Sequence, residues 1–328
     1  MHEFDKILCK NDYLVAMANL KKCLVLFSLV VPSLIFWCKS LSNDNHKIRE
    51  IIQSNNNRED ASKTREDLEN IKRKEISALQ GDSRQHPKRF LPKITLEEHA
   101  IQMELISVVT KTAEEANLTY FLYAGSLLGS YHHHGAIPWD DDVDIIFDRS
   151  DKYKVRDALK SVEEKGYILK TPNGDLLENK WQWKIYPRDT GRWVYEIPNR
   201  QHHWPFVDIF FFRGNSSHIR CEKYDNTVKR SCVFPLVRRP YGDMMLPAPC
   251  NPAKFMVEYD IYQCKTHEWD HRMESRTPGK NRGEVQCCKL FPFFPFVSRT
   301  INKTHVRETL KIGRTALRSV ELPSYCLC

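Results

Sequence analysis

Apolar and polar positions divide the chain into three stretches. The first, Cys23 to Cys38, is an uncharged apolar run set between Lys21-Lys22 and Lys39. A membrane span typically needs about 20 apolar residues. This run is short for one and suits the thinner bilayer of the early secretory pathway. Lys6, Lys10, Lys21 and Lys22 precede it, which by the positive-inside rule leaves the N-terminus in the cytosol. A cleaved signal peptide is the rival, but the leading segment is long for one and no A-x-A site follows. The expectation is a cytosolic tail over 1–22 and a transmembrane signal-anchor over 23–38. Residues 39–94 are polar and charge-mixed, with Asn55-Asn56-Asn57 and a Glu/Lys/Arg-rich run from Arg58 to Lys74. Apolar heptads are not sustained there, so the segment reads as a solvated stem, partly helical through i,i+4 charge pairs.

Core-forming periodicity begins at Thr95 and gives a domain over 95–328. Leu96, Ala100, Met103, Ile106 and Thr110 recur at helical spacing behind a Thr95 N-cap, with Glu97 and Glu98 in the first turn. Tyr120–Tyr123 reads as a strand and Leu127–Tyr131 as a short helix. The strand Val143–Phe147 turns Val143, Ile145 and Phe147 toward the core, and 151–165 reads as a second helix. Residues 181–186 and 193–197 suggest a hairpin around Asp189-Thr190-Gly191, leading into a buried strand over Phe206–Phe212. Further on, 247–252 reads as a loop and 254–262 as a helix. Phe291–Phe296, which alternates Pro and Phe, reads as a buried irregular segment, with an acceptor groove as the rival. Helices and strands in this order make an α+β domain, a mixed sheet with flanking helices.

Composition sharpens this picture in two places. The 328 residues are 41% hydrophobic and 28% charged, enough for one large core or two small ones. The net charge of +8 is spread along the chain. No basic run with interleaved aromatics stands out, so no nucleic-acid partner is expected; a basic cleft for a nucleotide diphosphate is compatible with the charge. Cys221, Cys232, Cys250, Cys264, Cys287, Cys288, Cys326 and Cys328 make the part from 221 onward Cys-rich. An even number beyond an anchor suggests disulfides in an oxidising compartment. A zinc subdomain is the alternative, disfavoured because the usual Cys-x2-Cys pairs are missing. Three sequons, at Asn117, Asn215 and Asn302, also follow the apolar run, as a lumenal domain requires.

The chemistry concentrates between Ala124 and Phe147. Gly125-Ser126 opens a helix and offers backbone N–H groups to a phosphate. Asp142 and Asp144, two apart on a strand, share a face. Asp208 lies alone in the apolar run Phe206–Phe212, and a lone buried carboxylate costs several kcal/mol unless paired or metal-bound. Three such acids suit Mg2+ or Mn2+, which prefer oxygen ligands. His132 and His133 precede the acidic strand, and Lys184 sits on an aromatic one; these are candidate phosphate contacts. Asp140 and Asp141 are expected to shape the turn, while His271 carries no assignment.

The block from Gly125 through Ile137-Pro138-Trp139-Asp140-Asp141-Asp142-Val143-Asp144 resembles the signature of the LicD family, which includes bacterial phosphocholine transferases and the animal fukutin and fukutin-related proteins. The resemblance covers roughly 95–275. Asp208 fits the family's third acid, and Phe234-Pro235-Leu236, Tyr241-Gly242-Asp243 and Leu246-Pro247-Ala248-Pro249 are similar as well. It implies a nucleotidyltransferase-like fold and transfer of a phospho-alcohol from a CDP-linked donor to a glycan or glycoprotein. Asp142, Asp144 and Asp208 would be the metal-binding catalytic acids, with Asp208 helping to deprotonate the acceptor. Gly125, Ser126, His132, His133 and Lys184 would contact the donor. His132 stands where bacterial members usually have Arg, exchanging a permanent charge for a titratable one. The expected setting is the Golgi or endoplasmic reticulum membrane, single-pass type II, with the catalytic domain lumenal. A DxD-type glycosyltransferase using a nucleotide sugar, and a non-catalytic lumenal binding protein of the same fold, are the rivals.

Overall fold

The computed structural model describes residues 89–171, 182–223 and 226–328; the expected tail, anchor and most of the stem lie outside them. Among the described residues no helix is long and apolar enough to cross a membrane.

Helix α1 (Leu96–Glu115) starts at a reciprocal cap: Thr95 Oγ1 accepts from the Glu98 amide, and the Glu98 carboxylate accepts from the Thr95 amide. Its buried stripe runs through Glu98, Gln102, Leu105, Ile106, Val109 and Ala113. The expected stripe began at Leu96, which is instead 39% exposed. The helix is rotated because Glu98 and Gln102 reach polar partners beside the acidic turn, which apolar spacing does not reveal.

The chain continues as β1 (Tyr120–Leu122), α2 (Ala124–His133), β2 (Val143–Asp148), α3 (Lys152–Lys160), β3 (Tyr167–Lys170), β4 (Gln182–Pro187), β5 (Tyr195–Glu196), β6 (His203–Trp204), β7 (Val207–Gly214), β8 (His218–Cys221) and β9 (Thr227–Lys229). The main sheet has the order β1-β2-β7-β4-β3, with β8 pairing β7 and β9. Strands β2 and β7 are parallel; the other described pairings in this sheet are antiparallel. This is a mixed α+β domain. The sheet is covered on both faces. Trp183 and Phe211 pack at 4.8 Å on one face, with the Lys152 ammonium of α3 over both rings. On the other, Tyr123 meets Phe210 at 5.4 Å and Phe121 meets Phe212 at 5.4 Å.

The remaining elements are β10 (Val237–Tyr241), β11 (Met244–Ala248), α4 (Pro252–Phe255), β12 (Gln263–Lys265), β13 (Trp269–Asp270), β14 (Ser275–Arg276), β15 (Glu284–Gln286), β16 (Phe296–Ile301), β17 (His305–Ile312) and β18 (Thr315–Pro323). The last three form an antiparallel sheet. It is fixed to the end of α2 by Glu308, whose carboxylate accepts from Arg239 at 2.9 Å and Arg299 at 2.8 Å and lies 2.9 Å from His134 Nε2. Cys232–Cys328 and Cys250–Cys326 tie the C-terminal tail to the segment around β10 and β11, and Cys264–Cys287 closes a third link. These cysteines form disulfides rather than a zinc site.

Several local expectations give way to tertiary contacts. The hairpin of 181–186 with 193–197 does not form: β4 pairs β3 and β7, while β5 pairs β6. A place between two buried partners outweighs the local Asp189-Thr190-Gly191 turn. The 254–262 helix is only the short α4, capped by Asn251; its last residue Phe255 and the following Met256 are buried in the core, and the chain turns. Pro247 and Ala248, read as loop, are the end of β11, paired with Arg238 and Val237 of β10. In the Pro/Phe segment Phe294 is buried 5.2 Å from Trp139, whereas Phe291 is 44% exposed.

Candidate metal centre and active site

The parallel pairing of β2 with β7 puts Asp144 opposite Asp208, and the antiparallel pairing of β7 with β4 puts Lys184 opposite Asp208. Directly opposed residues project to one face. Asp142, just ahead of β2, shares the face of Asp144. One carboxylate oxygen from each of Asp142, Asp144 and Asp208 lies within 4.8 Å of the others, and all three residues are buried. Among the described residues, Asp142 Oδ1 and Asp144 Oδ1 have no hydrogen-bond partner. Burial, opposed in part by His271 and reinforced by Asp144 and Asp140, pushes the Asp142 pKa well up. Asp144 is raised as well, by burial first, with Lys223 opposing and Asp208 and Asp140 adding to it. Two buried, mutually repelling carboxylates with orphaned oxygens are suited to a divalent cation.

Asp144 is held from α2. The expected short helix Leu127–Tyr131 in fact begins at Ala124, with φ of +42°, so Gly125 and Ser126 lie in its first turn. Their polar groups are turned on Asp144: the Gly125 amide donates to its Oδ2 at 3.2 Å, and Ser126 Oγ accepts from its amide at 2.8 Å. A Cβ on residue 125 would lie 2.8 Å from Asp140 Oδ2, so any larger residue there would force the Asp140 carboxylate to shift. Fully buried Tyr241, from the Tyr-Gly-Asp motif, has its phenol pKa pushed up by burial, with Ser126 opposing and Asp140, Asp142 and Asp144 adding to the rise.

Asp208 has its own partners. Lys184 Nζ is 2.7 Å from Oδ1, and Gln182 donates to Oδ2. The same ammonium is 3.3 Å from Glu274, which also meets His202 at 3.2 Å. Burial raises the Glu274 pKa, but His202 and Lys184 outweigh it and bring it down to about 2. Lys184 therefore sits in the acid cluster, joined to a second carboxylate that sequence reading did not single out.

His132 and His133 are not brought to the acids. Buried His132 packs 6.0 Å from Phe296 and beside the Cys264–Cys287 disulfide. His133 Nδ1 pairs with the Pro295 carbonyl at 2.6 Å. Burial pushes His132 well below its usual pKa and His133 down to about 4. A buried, neutral His132 does not supply the titratable charge expected of it. These residues attach α2 to the C-terminal segment instead.

Two histidines do reach the acidic turn. His267 Nε2 is 3.0 Å from Asp140 Oδ2. His271 Nδ1 is 2.9 Å from Asp141 Oδ1, and its Nε2 is 3.1 Å from Asp142 Oδ2. The Asp141 carbonyl accepts from Gln102 at 2.9 Å and Trp204 at 2.8 Å, which explains the rotation of α1. Burial lowers the imidazole pKa values, yet Asp142 and Asp141 carry His271 up to about 10, and Asp140 raises His267. The sequence signal for both was only a histidine in each of Thr266-His267-Glu268 and Asp270-His271-Arg272, some 130 residues beyond the turn they serve.

Strands, acids and the Gly-Ser turn define a domain found in other proteins. Residues 117–251 match the family described as LicD/FKTN/FKRP, nucleotidyltransferase domain. The similarity to the LicD family rests on this domain. The chain is 25% identical over 199 residues to the lipopolysaccharide cholinephosphotransferase LicD of Haemophilus influenzae, covering 53% of this chain and 72% of that protein. It is 31% identical over 160 residues to the human ribitol 5-phosphate transferase FKRP, covering 47% of this chain and 30% of that protein. The mouse FKRP is 28% identical over the same length, also 30% of that protein. Both functions named among these relatives are transfers of a phosphorus-containing group.

Proposed function

We propose that this chain is a metal-dependent phosphotransferase that moves a phospho-alcohol from a CDP-linked donor to a hydroxyl of a glycan or glycoprotein, on a nucleotidyltransferase-like fold. The observation that carries the reading is the register of β2 against β7, which converges three buried carboxylates, those of Asp142 and Asp144 each with an orphaned oxygen, beside the Gly125-Ser126 helix start. The relatives named as cholinephosphotransferase and ribitol 5-phosphate transferase support it. Asp142, Asp144 and Asp208 would hold Mg2+ or Mn2+, chosen by the all-oxygen donor set. Such a cation, when bound, neutralises charge on the transferred phosphoryl group and the leaving CMP.

The protein's own groups have separate tasks. Gly125 and Ser126 orient Asp144 and keep room before Asp140. Lys184 fixes the Asp208 carboxylate in place at 2.7 Å, and Asp208 would also help to deprotonate the acceptor hydroxyl. The disulfides among the described residues and the exposed sequon asparagines support an oxidising lumenal setting, with the domain held at a Golgi or endoplasmic reticulum membrane by the 23–38 anchor.

Incubation of the purified chain with CDP-choline, CDP-ribitol, CDP-glycerol, UDP-sugars and GDP-sugars tests the reading. CMP release from a CDP donor, abolished by chelation and restored by Mg2+ or Mn2+, is the expected result. Release of UDP or GDP with sugar transfer would establish the glycosyltransferase instead, and failure to bind any nucleotide would establish a non-catalytic protein.

A further inference from the structure

We propose that Asp140, His267 and His271 form a second metal site, selective for a first-row transition cation such as Zn2+, beside the three-carboxylate group. One ligand atom from each of the three lies within 4.8 Å of the others. The residues come from distant segments: Asp140 from the turn before β2, His267 from the link between β12 and β13, and His271 from the turn after β13. The two imidazoles converge with ring centroids 5.4 Å apart. Two nitrogens and one oxygen make a donor set that suits Zn2+, whereas the neighbouring all-oxygen set suits Mg2+ or Mn2+.

Three further features fit a ligand site better than two ion pairs. Asp141 grips His271 twice, accepting from its amide at 3.1 Å and pairing with Nδ1 at 2.9 Å. Metal-bound histidines are oriented by such a carboxylate on the other ring nitrogen, and here it leaves Nε2 facing the acids. Space is kept open before the ligands, because a Cβ on Gly125 would meet Asp140 Oδ2 at 2.8 Å and His267 Nε2 at 3.8 Å. The His267 side chain is 31% exposed, so a cation enters from solvent and three ligands leave it an open position. Asp142 borders both groups, being a member of the carboxylate set and 3.1 Å from His271 Nε2. A third grouping, His132 with Cys264 and Cys287, is closed to metal because the two sulfurs are bonded to each other.

The proposal does not depend on the phosphotransferase reading, since it is tested without any donor. The full chain, stripped of metal with chelator, is titrated calorimetrically with Zn2+ and with Mn2+, and a Co2+-loaded sample gives a visible spectrum that reports nitrogen ligation. The expected result is Zn2+ binding that falls at least tenfold in His267→Ala/His271→Ala, with loss of the Co2+ nitrogen signature, while Mn2+ binding persists. Asp144→Asn/Asp208→Asn should do the reverse, losing Mn2+ and keeping Zn2+. Circular dichroism checks that each variant is folded; should the double histidine variant unfold, His267→Gln is measured in its place. Unchanged Zn2+ affinity in the histidine variants, Zn2+ lost only with the Asp144 and Asp208 variants, or a wild-type Co2+ spectrum without nitrogen ligation would each show that the histidines make only ion pairs.

Discussion

At the scale of single residues, Asp144 carries the most constraint. Its amide, carboxylate and carbonyl are engaged by Ser126, Gly125 and the Tyr123 amide. A methyl added to Gly125 drives into the Asp140 carboxylate, so Gly125→Ala should lower turnover more than tenfold while the thermal midpoint moves little; steady-state kinetics beside a melting curve checks both. The metal-free site is also strained by charge. Because burial and its acidic neighbours raise the Asp144 pKa in the fold, metal-free stability falls as pH rises from about 4, the unfolded value, through the folded one. Asp144→Asn removes one of the repelling charges. In chelator it should melt higher than wild type at pH 7 and match it near pH 4, and added Mg2+ or Mn2+ should raise the melting midpoint of the wild type but not of the variant.

At the scale of elements, the deciding events are the β2–β7 register and the anchoring of α2. A slip of one residue between β2 and β7 would send Asp208 to the opposite face from Asp144. Helix α2 is fixed at its start by Asp144 and at its end by the buried Glu308 cluster of β17. Burial raises the Glu308 pKa, but Arg299, His134 and Arg239 outweigh it and hold the carboxyl below the usual range. Its contribution is therefore present above an unfolded value of about 4.5 and is lost as pH falls below that. Glu308→Gln leaves buried arginines unpaired and should cost about 3–5 kcal/mol at pH 7 by denaturant titration, with the gap from wild type narrowing only in acid below pH 4.5. An unchanged midpoint would mean that the cluster holds no part of the C-terminal sheet in place.

For the whole molecule, the C-terminal tail is pulled back by Cys232–Cys328 and Cys250–Cys326 onto the segment that follows the three clustered acids. Asn117, Asn215 and Asn302 all lie exposed at turns or helix ends, open to a glycosylating enzyme. If the domain is lumenal, glycosidase treatment of the chain expressed in animal cells should increase its gel mobility. The absence of any shift, with protease reaching the domain from the cytosolic side of sealed vesicles, would refute that placement.

What the sequence determined by itself was everything that local chemistry marks. The Thr95 cap with Glu98, the Gly125-Ser126 helix start, the shared face of Asp142 and Asp144, and the isolated acid Asp208 are each written in a few adjacent residues. An α+β domain with three converging acids followed from these. Tertiary structure alone decided the rest, because the partners are far apart in the chain. His267 and His271 reach Asp140, Asp141 and Asp142 only after the C-terminal segment folds back, so nothing near Thr266 or Asp270 announces them. His132 and His133 looked like ligands because they stand next to the acids in sequence, but a helix end turns them toward Phe296 and Pro295. The 181–197 hairpin failed for the same reason: a turn signal weighs a fraction of what a strand gains when β7 and β3 bury it on both edges.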